Sequence, residues 1–518
     1  CWDGGVAAAA VEPYSESEAG IIRNGVFAAL PDAFGISLGY TNDPTTFKNR
    51  STPAPSTRSM ACKAQTSGRI YLHSGPRTEL HEIIRQEYTR HQDRAVPRNT
   101  LRQAVQGMLD TFAYQNFDAA AGEYTNRCCR PPRETEMRPW RLVTEIGWTG
   151  GGVLAYPLVL CRDALGADAE APLAAAMSGE QLFDRIADAY NENSGLLNDL
   201  MAPNTAGSQV NGWWTGYGLV KDCHCAYTVG SAVHYLTKTM DYLHQNGKPC
   251  PAKWMDAAQK VLHTVMDLQR ADGAFGYTYS TQERKVLDWS GFAGCWFAPA
   301  LVYLYRLTGE ERCLHSAEKA LHYYHTFVKD LNCYGTPMDT WKAVDEEGNL
   351  AFMRGSRLLY EQTGKAEFLQ YMKDSAGYEF LWRYGYKTYP EHTPLNQGWS
   401  ACGGAVTSVS NPHIHPMGVI IDTDLRYLAR VTGDGYYASR AADSAAWMLQ
   451  CLELYPAATG YGRYGILSER WCPSDGLDVE RFSDGRPFSS WFSHNLWASA
   501  CVLEAACELL LEIEHKKG

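Results

Sequence analysis

Three stretches of the chain, YLYRLTGEERCLHSAEKAL, RLLYEQTGKAEFLQYMKDSA and RYLARVTGDGYYASRAADSA, follow one local plan. In each, an apolar helical pattern ends in Thr-Gly, at Gly309, Gly364 and Gly433, and a second amphipathic pattern starts at once. Glycine accepts the left-handed backbone that stops a helix, because it has no Cβ to clash. Weaker versions of the plan end at Gly166 and Gly247. A repeated helix–stop–helix unit cannot bury its apolar face alone, so copies must stack against one another.

Helical periodicity extends the plan from Asn99 to the end. Phe292, Trp296, Phe297, Leu301, Leu304 and Tyr305 make one broad apolar face, and Leu314, Ala317, Leu321 and Tyr324 make the next. About twelve helices follow in six pairs. Their approximate spans are 99–115 with 148–166, 178–192 with 224–245, 252–270 with 290–308, 310–328 with 346–363, 366–383 with 414–432, and 435–453 with 489–514. The turns inside the repeat are short, whereas the connections before 148, 224, 290, 346, 414 and 489 are long, as functional loops are. With the first helix of each pair outside and the second inside, all six long loops open at one end of a ring.

Residues 1–75 differ. GVFAALPDAFGISLGY and SGRIYLHSG carry β-type residues broken by Gly and Pro, which predicts a β-rich segment, part of a sandwich or a fragment of one. ELHEIIRQEYTRHQ then predicts a linker helix within 76–98, and 99–518 forms the helical domain.

Composition excludes several classes. The net charge of −11 lacks the basic excess of a general nucleic-acid binder. No apolar run reaches the roughly 18 residues of a membrane span, and no charged start with an apolar stretch marks a signal peptide. The chain starts at Cys1, which fits a processed or partial protein. Its 16 cysteines lack paired zinc spacing, and Cys161, Cys295, Cys313, Cys451, Cys501 and Cys507 fall inside helical patterns, where a thiol is a small hydrophobe. That usage predicts a reducing, cytoplasmic setting. An oligomer is compatible with all of this.

The organisation of residues 95–515 resembles the six-hairpin glycosidase superfamily, the (α/α)6 toroid. LQRADGAFGYTYS is similar to a Q-x-x-D-G-x-(F/W) turn of such toroids, and VTEIGWTGGGVLAYPLVL and DWSGFAGCWFAPALVYLY resemble their inner helices. The resemblance implies a glycoside hydrolase acting on an oligosaccharide, without cofactor. Such chemistry pairs one carboxyl that protonates the leaving oxygen with one that serves as base or nucleophile. The candidates in the long loops are Asp288, Glu469, Glu145, Asp339 and Asp345 with its neighbour Glu346. Glycoamylase-like toroids place the acid between helices five and six and the base between eleven and twelve, which implies Asp288 and Glu469. Each carboxyl also has a plain structural reading. Asp288 suits a helix N-cap, Asp345 and Glu346 a helix dipole, Glu145 a buried ion pair, and Glu469 a surface pair with Arg463 or Arg470.

Trp148, Trp213, Trp214, Tyr217, His224, Trp289, Trp341, Trp399, His413, His415, Trp491 and His494 lie in or beside the same loops. Stacking rings and imidazole hydrogen bonds suit a sugar, although each Trp could equally pack its loop. Arg127, Arg130, Arg133, Arg138 and Arg141 crowd the first long loop, where bidentate guanidinium would suit a uronic acid. Three alternatives use the same loops. One is a polysaccharide lyase working with His413, His415, Tyr461 and Tyr464. Another is a zinc enzyme built on Cys223-His224-Cys225. The third is a toroid that only binds glycans or assembles. No metal ligand is assigned, since His413 and His415 lack a third partner at suitable spacing.

Overall fold

A computed structural model describes residues 25–30, 33–38, 79–90, 94–128, 138–140, 144–147, 151–201, 212–214, 219–336, 342–387, 400–408, 411–454, 464–467, 469, 471, 493–494 and 496–516. Among them, fourteen α-helices occur: α1 (Leu80–Arg90), α2 (Leu101–Thr111), α3 (Gly152–Leu165), the short α4 (Glu170–Ala175), α5 (Gly179–Asp188), α6 (Ala226–Gln245), α7 (Ala252–Asp267), α8 (Phe297–Thr308), α9 (Glu311–Lys329), α10 (Glu347–Thr363), α11 (Ala366–Trp382), α12 (Asp422–Thr432), α13 (Gly435–Cys451) and α14 (Leu496–His515). None of the described helices is long and apolar enough to cross a membrane.

The Thr-Gly stops work as a unit. At Gly309, Gly364 and Gly433 the backbone is left-handed, with φ of 72°, 66° and 70°. The threonine before each glycine donates its hydroxyl to the carbonyl four residues back, Thr308 to Leu304 (2.8 Å), Thr363 to Leu359 (2.7 Å) and Thr432 to Leu428 (2.6 Å). The same hydroxyl accepts the amide two residues on, from Glu310, Lys365 and Asp434, at 3.2, 3.2 and 3.3 Å. One side chain thus satisfies groups that a helix end leaves open. Thr100–Gln103 and Ser178–Gln181 close reciprocal capping boxes on the outer helices α2 and α5.

The inner helices pack in the cyclic order α3, α6, α8, α10, α12 and α14, and α14 returns to α3. Their partners α2, α5, α7, α9, α11 and α13 lie outside them. The result is a closed (α/α)6 toroid in the predicted pairing. The six helical-pattern cysteines are all buried free thiols, which matches their reading as small hydrophobes. In the LQRADGAFGYTYS turn, a side chain on Gly273 would meet the Lys319 carbonyl oxygen at 2.1 Å, so only glycine lets this turn rest on α9. The β-rich start contains an antiparallel hairpin, Gly25–Leu30 with Ala33–Leu38.

The linker helix α1 packs on α11. Arg85 pairs with Asp434 at 2.7 Å and the Tyr88 hydroxyl donates to Asp443 at 2.6 Å. His81 fills the space that Gly377 leaves, its Nδ1 2.0 Å from where a Cβ would stand. Burial pushes its imidazole down to about 4, against a weaker upward pull from Asp374. The unfolded chain therefore binds a proton near pH 6.5 that the folded chain refuses. Stability from this group is complete above pH 6.5 and lost as pH falls towards 4. A urea titration is expected to show His81→Asn losing about 1–2 kcal/mol less than wild type between pH 6.5 and 5.

Candidate active site

The long loops gather where the inner helices begin, and three side chains meet there across the ring. Tyr227, second residue of α6, donates its hydroxyl to Glu347 Oε2 at 2.7 Å; Glu347 is the first residue of α10. The same hydroxyl lies 3.6 Å from Met417 Sδ, in the 3-10 turn that leads into α12. In the cyclic order α12 stands opposite α6, so Tyr227, Glu347 and Met417 converge on the ring axis. Trp296, ahead of α8, packs edge-on against Tyr227 at 6.0 Å, and His415 packs against Trp497 of α14 at 5.7 Å. Burial, then the neighbouring Glu347 carboxylate, holds the Tyr227 phenol protonated well above its ordinary range. It is a permanent donor.

Deeper in the ring a second layer is charged. Lys238 of α6 bonds Glu504 and, at 2.8 Å, Glu508, both on α14. Tyr235 donates to Glu504 at 2.8 Å. Arg354 of α10 pairs with Asp424 of α12 at 2.7 Å and donates to the Ile420 carbonyl at 2.8 Å. Apart from the part-exposed Glu508, these groups are buried, and they satisfy one another, as buried charges must.

Three consecutive acids before and within α10 point to three different places. Asp345 turns back on the backbone, accepting the Thr336 amide at 3.0 Å and the Gly348 amide at 3.2 Å. Burial pushes it up to about 7 despite those bonds. Glu346 faces Glu379 of the outer helix α11. Glu347 alone reaches the axis.

Asp288 ends the strand Val286–Asp288, the edge of a three-stranded sheet with Thr278–Ser280 and Cys223–Cys225. Its Oδ1 accepts the Ser290 amide at 2.8 Å and its Oδ2 binds Lys342 at 2.5 Å, with 39% of the side chain exposed. Burial pushes its carboxyl up, but the Lys342 ammonium and the Ser290 amide outweigh this and hold it below the usual range. Such a group is ionised near neutral pH and suits a base better than the acid implied by position. Trp289 lies under Arg270, 5.3 Å from the guanidinium. Arg270 follows the outer helix α7 and also covers Tyr323 of the outer helix α9. The Asp288–Trp289 pair therefore sits on the outer rim.

Glu469 is buried in a segment fixed at two points: the Leu467 amide donates to Ser499 Oγ at 3.1 Å, and Trp471 exchanges backbone bonds with Ile414. This brings the Glu469 segment to the start of α14 and to the strand that precedes α12. Glu145 lies in a two-residue strand paired with Leu200–Met201, just ahead of α3.

His224, expected at the sugar, spends both ring nitrogens on protein. Asp199 Oδ2 is 2.7 Å from Nδ1 and Ser194 Oγ 2.9 Å from Nε2, and all three residues are buried. Asp199 also accepts the Cys225 amide at 2.9 Å, so the trio ties the 194–199 loop to the start of α6. Among the described residues no three His, Cys, Asp or Glu side chains are placed to hold a metal ion. Trp213 is buried and donates its indole N–H to Cys223 Sγ at 3.1 Å. His415 is buried at the axis. His494 and Arg127 are register partners in a sheet that joins 493–494, 126–128 and 138–140. Trp214 and His413 are described only as backbone. Trp148, Tyr217, Trp341, Trp399 and Trp491, with Asp339, Tyr461, Arg130, Arg133 and Arg141, lie outside the described residues. Tyr464 is exposed at the end of the 464–467 segment.

Glu347 was not among the sequence candidates. The signal for it was positional: it is the first helical residue of an inner helix, at the level where Tyr227 and Trp497 stand in theirs.

Solved structures share this architecture. A family 76 glycoside hydrolase from a bovine Bacteroides thetaiotaomicron strain is 12% identical, with a TM-score of 0.51 over 88% of this chain and 82% of that one. A family 76 mannosidase from Bacteroides thetaiotaomicron is 14% identical, with a TM-score of 0.50 over 80% and 99%. Cellobiose 2-epimerase from Spirochaeta thermophila is 13% identical, with a TM-score of 0.50 over 86% and 100%. No protein-family model and no curated protein sequence matches the chain. At such identities the likeness is one of fold: the chain is a six-hairpin (α/α)6 toroid.

Proposed function

We propose that this toroid is a carbohydrate-active enzyme, a glycoside hydrolase that works at the loop end of the ring. The observation that carries the reading is the Glu347 carboxyl, set on the ring axis and held by the Tyr227 phenol at 2.7 Å. A carboxyl oriented by a phenol at the ring axis is placed to exchange a proton with a sugar bound there. Glu469, in the segment pinned at the start of α14, supplies the second carboxyl. Trp296, Trp497 and His415 surround the position where a sugar would lie. Asp288 takes a rim role, contacting the outer units of an oligosaccharide.

The reading agrees with the fold shared with sugar-processing toroids, and the site argument stands on this chain's own residues. A screen of aryl-glycosides and uronic-acid oligosaccharides tests it, run against wild type and single Glu347→Gln, Glu469→Gln, Asp288→Asn and Glu145→Gln variants. Hydrolysis is expected in wild type and lost on changing Glu347 or Glu469. Full activity in both of those variants would sink the assignment, and an unsaturated product would turn it towards a lyase.

A further inference from the structure

Glu346, just outside the first turn of α10, is fully buried, and neither of its carboxyl oxygens meets a hydrogen-bond donor. Across from it on α11, Glu379 Oε1 accepts from Arg383 Nε and Nη2 at 3.0 and 2.7 Å, while its Oε2 also meets no donor. Arg383 further binds Asp422 at 2.8 Å and the Gly418 carbonyl at 2.7 Å. Two carboxyls, Glu379 and Asp422, thus share one guanidinium, and the Glu346 carboxyl is buried beside them with no donor of its own. Gly418 presses on the pair: a Cβ there would lie 2.3 Å from Glu346 Oε1 and 3.2 Å from Glu379 Oε1. Two ionised carboxylates in that position would repel with nothing to damp the field. A single proton converts the contact into an O–H···O bond between the two carboxyls and removes one of the two buried charges.

We propose that Glu346 and Glu379 share one buried proton, and that this proton holds the His415–Gly418 turn at the mouth of the ring. The turn carries His415 and Met417 to the axis, so the proton acts through it as a positioning device. The charged and titratable groups facing the pair are Glu347 on α10, Arg383 after α11, Asp422 on α12 and Cys501 on α14. Of these only Arg383 carries positive charge, and Glu379 and Asp422 already engage it. Burial first, then the Glu379 charge, pushes the Glu346 carboxyl well above its ordinary value. A carboxyl raised on folding contributes stability that is complete below about pH 4.5 and is lost as pH rises through the folded value.

Glu346→Gln carries a permanent N–H where the shared proton stands. Thermal melts from pH 6 to 9 are expected to fall by several degrees in wild type and clearly less in E346Q, where the neighbouring Asp345 carboxyl still titrates. Infrared difference spectra of the whole protein with labelled glutamate are expected to show a protonated carboxyl at neutral pD, absent from E346Q. Glu379→Gln gives the same two results if E346Q fails to fold. A wild-type spectrum without the protonated band, or a variant that keeps the wild-type pH slope, overturns the proposal. Neither readout depends on any catalytic activity.

Discussion

Lys238→Met is expected to lower the stability of the ring by about 3–5 kcal/mol, because it leaves Glu504 and Glu508 buried without their cation. Lys238 also stands 4.2 Å over the Tyr156 ring of α3, so it touches the helix between its own and that of its partners. It therefore ties α6 to α14 across the point where the last inner helix closes on the first. Urea unfolding checks the figure. Lys253→Met is the control, since Lys253 pairs with Asp184 and Asp188 at 3.3 Å in the open, and exposed pairs are worth about 0–1 kcal/mol. Equal losses in the two variants would mean that the deep charges are not what closes the ring.

Glu347→Gln is expected to cut turnover by roughly 10²–10⁴-fold, the ordinary worth of a positioned acid or base. The fold should survive, since the amide still accepts the Tyr227 hydroxyl. Tyr227→Phe is expected to cost roughly tenfold, because it removes a donor that orients the carboxyl without removing the carboxyl itself. Its effect should fall on kcat more than on KM if the phenol fixes the reacting group. A Glu347→Gln enzyme with wild-type turnover would move the chemistry elsewhere, with Asp288 the next group to examine.

How far the sequence carries depends on how local the physics is. The Thr-Gly stops and the helical periodicity are local, and they place all six helix pairs, although α8, α12 and α14 begin seven or eight residues later than the pattern puts them. Loop length then separates inner from outer helices, because long connections precede every inner one. The site is a matter of direction, and direction is not local. Asp345, Glu346 and Glu347 are adjacent in sequence, yet one caps a helix, one faces an outer helix and one reaches the axis. About 100° of rotation per residue separates those fates. Asp288 has the expected place in the chain, but Trp289 turns outward beneath Arg270 and takes the pair to the rim. His224 reads as a loop histidine, and only the fold brings Asp199 and Ser194 to its two nitrogens. Glu346 looked like a partner for the helix dipole. What sets its chemistry is Glu379, 33 positions later.

The most direct test of the central claim is a crystal structure of the Glu347→Gln protein soaked with an oligosaccharide that wild type cleaves. The account predicts a sugar ring at the loop end of the toroid, lying against Tyr227 and Met417 and flanked by Trp296 and Trp497. Density confined to the outer rim at Asp288 and Trp289, with nothing over Tyr227, would contradict it.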